Sequence, residues 1–273
     1  MELEFNPEAF DKMSMIEKTE YLREFFPEVK LNHIYNEDCI EGMKKLPDNL
    51  CKIAITSPPY NVGESIRGNF YDEYEDNLPQ EQYSVFIEMV LKELIRVTEY
   101  YVFFNFQMLS GNRHAYIDIL HKFKNNIKEI IIWHKKQVQP AVQPTCLSST
   151  FEFIVVFAKP ELAQKRSFEY AFFNNREKGQ LNTNVIYGDC SSVKEFNDDK
   201  GGNKAVFPQY FVREFLDKFT KKGDLVLDSF MGSGTTALVC QQKGRNFIGF
   251  ELSEEYVKTA LKRLRQTTLL EVL

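Results

Sequence analysis

The residues best equipped for chemistry are Thr56-Ser57-Pro58-Pro59-Tyr60, directly after the apolar run Cys51-Lys52-Ile53-Ala54-Ile55. Two adjacent prolines donate nothing to a ladder, so a strand over 52–57 must stop there and its turn must stand clear of the sheet. The turn then offers a hydroxyl, a carbonyl whose direction proline fixes, and an aromatic face. Such a set suits a flat base that carries an amino group. Hydroxyl and carbonyl accept from the amine while the ring stacks on the base. A plain strand-to-loop exit also accounts for Pro-Pro, which marks turns in many proteins.

A second constellation lies far downstream. Leu225-Val226-Leu227-Asp228-Ser229-Phe230 reads as a short buried strand, followed by Met231-Gly232-Ser233-Gly234-Thr235-Thr236-Ala237 and an apolar helical run. Glycines at such a bend let backbone N–H groups approach a ligand beside the positive end of a helix. Asn246-Phe247-Ile248-Gly249-Phe250-Glu251 gives another strand, ending in a carboxylate suited to ribose hydroxyls. Gly232-x-Gly234-x-x-Ala237 with Glu251 also fits the dinucleotide fingerprint, so by itself it implies a nucleoside-bearing cofactor and no more. A nicotinamide-dependent oxidoreductase would use the same bend but leaves Ser57–Tyr60 without a role. A non-catalytic nucleic-acid-binding module would need no intact cofactor pocket.

Taken together, these residues resemble those of the DNA amino-methyltransferases, which move a methyl group from S-adenosyl-L-methionine to an exocyclic base nitrogen. The family's catalytic tetrapeptide, (Asp/Asn/Ser)-Pro-Pro-(Tyr/Phe/Trp), is matched by Ser57, Pro58, Pro59 and Tyr60. Its cofactor loop, Asp-x-Phe-x-Gly-Ser-Gly-Thr-Thr, is matched by Asp228, Phe230, Gly232, Ser233, Gly234, Thr235 and Thr236. Catalytic motif first and cofactor loop last is the permuted order of the β class. The resemblance spans roughly residues 31–265. It further implies that Asp38 and Cys39 lie at the cofactor's adenine, and that Phe207 and Pro208 lie near its methionine end.

The resemblance implies direct transfer to a base rotated out of duplex DNA, with Tyr60 stacked on it and Ser57 and the Pro58 carbonyl accepting from its amine. Acceptors out of the ring plane pull the nitrogen toward tetrahedral geometry and return its lone pair to attack; the rest is positioning. Within the family, Thr-Ser-Pro-Pro-Tyr goes mostly with N4 of cytosine and an Asp in place of Ser57 mostly with N6 of adenine. Cytosine N4 is therefore the expected target, with adenine N6 as the alternative. Methylation of a ring carbon needs a thiolate in a Pro-Cys turn, and none of the five cysteines follows a proline. Double-stranded DNA is the expected partner, joined by a separately acting cognate restriction endonuclease.

These residues need a frame. Seven apolar or β-branched runs, at 32–36, 52–57, 100–106, 128–134, 151–157, 224–229 and 246–251, alternate with helical patterns. The clearest helix runs from Pro79 to Val97, with Phe86, Val90, Leu91, Leu94 and Val97 on one face. Alternation of this kind predicts an α/β fold, a doubly wound, mostly parallel seven-stranded sheet. Ligands of such sheets bind outside the carboxyl ends of strands where the order reverses. Residues 1–30 read as an N-terminal helical extension, with one amphipathic helix over 7–26 that packs on the domain or mediates a homodimer. Residues 31–273 form the catalytic domain. Residues 61–78, with Phe70, Tyr71 and Tyr74, read as a lid, and 160–203 as a target-recognition insertion.

Formal charge is −5, not what holding DNA by charge alone would produce. The acid is concentrated in residues 1–30, whereas 135–166 hold five bases against two acids. Lys135, Lys136, Lys165, Arg166, Arg176 and Lys178 are the candidate DNA contacts, with Gln137, Gln139 and Gln143 as readers of base edges. Five cysteines without a Cys-x-x-Cys pair and four scattered histidines predict neither disulfide framework nor metal. No apolar run approaches the ~20 residues of a membrane span and no leader opens the sequence, so a cytoplasmic location is expected.

Overall fold

A computed structural model describes residues 5–62, 76–136, 145, 147–173, 182–188 and 207–270, the last four by backbone alone. Strands β1 (His33–Tyr35), β2 (Cys51–Thr56), β3 (Thr98–Phe106), β4 (Ile127–Lys135), β5 (Phe151–Phe157), β6 (Val185–Gly188), β7 (Leu225–Asp228) and β8 (Asn246–Phe250) form one sheet. Their order is β1-β8-β7-β2-β3-β5-β4-β6. β5 runs against both of its neighbours, and every other pairing is parallel. The expected doubly wound α/β sheet is thus present, with eight strands among the described residues instead of seven. The additional strand, β6, is four residues long with only Ile186 buried, so it carries too little apolar signal to be read from sequence.

Side chains alternate across the pleat and build two cores. Tyr101, Phe103, Ile154 and Val156 face one side, with α6 (Pro160–Ala163), α7 (Gln209–Phe219), α8 (Thr235–Gln242) and α9 (Glu254–Leu270). Val102, Phe104, Phe106, Val155 and Phe157 face the other, with α3 (Cys39–Lys44), α4 (Gln80–Val97) and α5 (Arg113–Lys122). α7 buries Phe211, Val212, Phe215, Leu216 and Phe219 as one stripe. α4 begins after Pro79 and buries Tyr83, Ile87, Val90, Leu91, Leu94 and Val97. Each such side chain removed from water stabilises the fold by ~1.5–3 kcal/mol.

The predicted single helix over 7–26 is two, α1 (Pro7–Lys12) and α2 (Met15–Phe25). Ser14 is the cause. Its hydroxyl accepts from Glu17 N at 3.3 Å while its own N–H donates to Glu17 Oε2 at 2.7 Å, a capping box that starts a new helix. Phe10 and Leu22 join the core, whereas Ile16 is 73% exposed. Buried Lys52 pairs with Asp11 and Glu99, tying α1 to the amino edge of the sheet.

From β2 the chain crosses to β3 on one side, and from β7 to β8 on the other. The winding therefore reverses between β2 and β7, adjacent in the order and in register at Ile53↔Val226 and Ala54↔Leu227. Both motif loops leave the carboxyl edge at that point, where such sheets form their ligand crevice. Among the described residues no helix is long and apolar enough to cross a membrane.

Candidate active site

The turn after β2 is held by its own carbonyls. Tyr83 Oη, buried on α4, donates to Pro59 O at 2.6 Å and shares a 2.7 Å bond with Tyr116 of α5. Fully buried Asn112 donates through Nδ2 to Tyr60 O at 2.6 Å. The Pro58 carbonyl, one residue earlier in the turn, accepts from no described residue. Ser57 Oγ donates to Tyr60 Oη at 3.1 Å. One hydroxyl and one carbonyl therefore keep acceptor capacity on a turn that is otherwise fixed.

Beneath Tyr60 lies a polar cluster that sequence reasoning missed. Tyr60 Oη donates to Glu152 Oε2 at 2.9 Å and accepts from Asn105 Nδ2 at 2.6 Å. Asn105 also donates to Glu152 Oε2 at 2.6 Å, and Lys135 pairs with Glu152 Oε1. Asn105 and Glu152 are 1% and 6% exposed. β5 is antiparallel, so its first residues reach the carboxyl edge beside the end of β3. The available signal was an amide and a carboxylate inside the apolar runs Phe103–Phe106 and Phe151–Phe157, where a polar group needs a reason.

The loop after β7 is organised by Asp228, 2% exposed. Its Oδ1 accepts from Thr56 Oγ1 at 3.0 Å and Phe230 N at 3.1 Å, and its Oδ2 from Thr236 Oγ1 at 2.6 Å. Burial pushes this carboxyl up to about 6 against the pull of those bonds. Asp228 thus ties the two motif loops together from below. Glu251 accepts from Gly232 N at 2.7 Å and Ser253 N at 2.9 Å. Gly232 and Gly234 take the left-handed conformation, at φ 53° and 82°. A Cβ at Gly234 would meet Ala260 Cβ at 2.6 Å, whereas one at Gly232 would enter open space. The backbone there is bare toward the crevice, beside Glu251 and the start of α8, and this fits a nucleoside-bearing cofactor. Arg263 of α9, also missed, is 6% exposed and donates to Ser233 O at 2.5 Å and Ser233 Oγ at 2.9 Å from behind the loop.

The remaining candidates are spread over the same edge. Asp38 caps α3, its Oδ1 accepting from Ile40 N at 2.9 Å and Glu41 N at 3.0 Å. Cys39 is buried, and burial pushes its thiol up, so it is a packing residue and not a nucleophile. Asn36 Nδ2 joins this loop to the other motif by donating to Glu251 O at 2.9 Å and Leu252 O at 2.6 Å. Phe207 stacks on Phe211 with centroids 4.6 Å apart, and Pro208 precedes α7.

The DNA candidates separate. Lys165 and Arg166 follow α6, which the chain reaches by leaving β5 at the amino edge, opposite the crevice. Lys128, at the start of β4, donates to Lys165 O, and Lys165 pairs with Glu169. Because β5 reverses the chain, Lys165 and Arg166 lie at the opposite edge of the sheet from Lys135 and Lys136. Lys135 does lie at the crevice edge, but as the half-buried partner of Glu152. Lys136 follows it and is exposed. Arg176, Lys178, Gln137, Gln139 and Gln143 lie outside the described residues, as do Phe70, Tyr71 and Tyr74 of the expected lid. Its ends are joined: buried Asn61 donates to Leu78 O at 2.8 Å and accepts from Leu78 N at 2.7 Å.

Comparison with known proteins agrees with this geometry. The family model described as DNA methylase, of the N6/N4 methyltransferases, matches residues 51–262. The type II methyltransferase M.HinfI of Haemophilus influenzae is 29% identical over 252 residues, 86% of this chain and 69% of that protein. M.ScaI of Streptomyces caespitosus is 24% identical over 258 residues, 85% of this chain and 80% of its own. Among solved structures, the PvuII DNA methyltransferase (cytosine-N4-specific) superposes with a TM-score of 0.66 at 20% identity, covering 84% of this chain and 85% of that one. A putative DNA modification methylase from Thermus thermophilus, solved with S-adenosyl-L-methionine, gives 0.56 at 22% identity over 86% and 93%. With its glycine bend and Ser-Pro-Pro-Tyr turn at one switch point, the chain belongs to the N6/N4 family of DNA methyltransferases.

Proposed function

We propose that the chain methylates N4 of a cytosine rotated out of duplex DNA, with S-adenosyl-L-methionine as the methyl donor. The observation that carries the reading is the turn itself. Pro59 and Tyr60 have their carbonyls tied by Tyr83 and Asn112, while the Pro58 carbonyl and Ser57 hydroxyl keep acceptor capacity beside the glycine loop. When bound, the cofactor supplies an electrophilic methyl group on a sulfonium. Residues 228–236 and Glu251 hold it, with Asp38 at the adenine and Phe207 and Pro208 at the opposite end. Glu251, fixed by the Gly232 and Ser253 N–H groups at the end of β8, is the carboxylate suited to the ribose hydroxyls.

Tyr60 holds the base by stacking. Ser57 and Pro58 accept from its amine, draw the nitrogen out of the ring plane and free its lone pair. Thr-Ser-Pro-Pro-Tyr goes mostly with cytosine N4 within the family, and a structure named as cytosine-N4-specific shares this fold. DNA enters over the carboxyl edge, where Lys136 is exposed. Relatives bearing type II methyltransferase names support a restriction endonuclease of the same specificity as a separate partner. Methylation of plasmid DNA with a labelled donor, followed by mass analysis of the nucleosides, tests the reading. N4-methylcytosine is expected, and N6-methyladenine would overturn the base assignment.

A further inference from the structure

The cluster under Tyr60 fixes which way each of its protons points. A phenolic oxygen has one proton to donate and two lone pairs, and an ionised carboxylate only accepts. Tyr60 Oη must therefore donate to Glu152 Oε2, 2.9 Å away. One of its lone pairs takes the Asn105 amide hydrogen at 2.6 Å, and the other takes the Ser57 hydroxyl proton at 3.1 Å. Asn105 cannot be turned the other way, because its Nδ2 also faces Glu152 at 2.6 Å, where an amide oxygen would meet a carboxylate. Lys135, on β4, keeps that carboxylate paired. Each partner's chemistry forces the same orientation: the Ser57 proton points inward, and its lone pairs are left for the target amine.

We propose that Glu152 is a positioning residue for the methylation reaction and the terminal proton acceptor of a relay running Ser57–Tyr60–Glu152. The inference rests on the amino-methyltransferase reading above. Once methylated, the target nitrogen carries one proton too many. That proton passes to Ser57 Oγ as Ser57's own proton passes to Tyr60 Oη and Tyr60's passes to Glu152 Oε2. One N–H and two O–H bonds break, three O–H bonds form, and the product leaves neutral with Glu152 as the carboxylic acid. Solvent then takes the proton and the Lys135 pair is restored. Through two hydroxyls the relay connects Ser57 to a buried carboxylate.

The test uses Tyr60→Phe, which keeps the ring, Glu152→Gln, which keeps the shape, and the double variant. The substrate is a duplex containing the site that the wild-type chain modifies. Single-turnover methyl transfer is measured beside two readouts that do not depend on turnover: calorimetric affinity for S-adenosylhomocysteine, and fluorescence of a 2-aminopurine neighbouring the flipped base. Each single variant is expected to slow transfer by on the order of 10²-fold. The double variant should be no slower than the worse single, as for groups acting as one unit. Cofactor affinity and flipping should stay within about twofold of wild type. If Glu152→Gln fails to fold, Glu152→Gln with Lys135→Met removes the ion pair whole and carries the test beside Tyr60→Phe. Wild-type rates in Tyr60→Phe, multiplicative losses, or a loss confined to flipping would overturn the relay and leave the methyltransferase reading standing. A wild-type chain that methylates no DNA amine overturns both.

Discussion

Asp228→Asn separates the charge of the residue joining the two loops from its shape. The carboxyl is 2% exposed, and all three of its hydrogen bonds go to Thr56, Phe230 and Thr236. Asparagine keeps an oxygen for Thr56 and Phe230 and turns an amide toward Thr236, whose hydroxyl can accept by rotating. That rearrangement costs ~1 kcal/mol at every pH. The ionisation cost depends on pH. Burial raises the folded value from the ordinary 3.8 to about 6, so the fold binds this proton more tightly than the unfolded chain does. Its stabilising effect is complete below 3.8 and is lost as pH rises through about 6. At 1.36 kcal/mol per pH unit the loss is at most ~3 kcal/mol. Urea unfolding of both proteins from about pH 4 to about pH 8 should therefore show the variant gaining on wild type by ~2–3 kcal/mol, then levelling. Taking the difference cancels the carboxyls that the two proteins share. A difference that stays flat across that range refutes the account of Asp228.

Glu251→Ala removes the acceptor of Gly232 N–H and Ser253 N–H together with the ribose partner, so calorimetric affinity for S-adenosyl-L-methionine should fall ~10–100-fold. Unchanged affinity would remove Glu251 from the cofactor site. Gly234→Ala forces a side chain into φ 82° and within 2.6 Å of Ala260 Cβ, and should lower unfolding free energy by about 2–4 kcal/mol in urea titrations. Reversing Lys165 and Arg166 should leave the salt dependence of DNA binding unchanged, since both lie at the far edge of the sheet. Lys136→Glu should reduce that slope by ~1.

Features written into short runs of residues were legible in the sequence. Seven strands, the Pro79–Val97 helix and both motif loops follow from apolar periodicity, proline placement and glycine spacing, each acting within a few residues. What escaped depends on pairing between distant parts. The reversal of β5 is invisible in Phe151–Phe157, yet it brings Glu152 to the crevice and carries Lys165 and Arg166 away from it. Lys135 reads as a free cation until its partner seventeen residues on is known. Asp228 reads as one residue of the cofactor loop and is also a buried strut, because Thr56 reaches it from the neighbouring strand. Ser14 and Glu17 were the exception. Their spacing is that of a capping box, but the apolar stripe through 7–26 runs across it.

A flipped base held and activated at Ser57–Tyr60 is the centre of the proposed mechanism. It is tested most directly by methyl transfer from Ser57→Ala and Tyr60→Ala on a target first paired and then mismatched. A mismatch lowers the unstacking cost by a few kcal/mol. Both variants should be slow on the paired target. The mismatch should recover part of the activity of Tyr60→Ala, which fails partly in holding the base. Ser57→Ala fails after flipping, through the lost acceptor, and should stay slow. Equal rescue of both variants, or wild-type turnover by Ser57→Ala, would contradict the account.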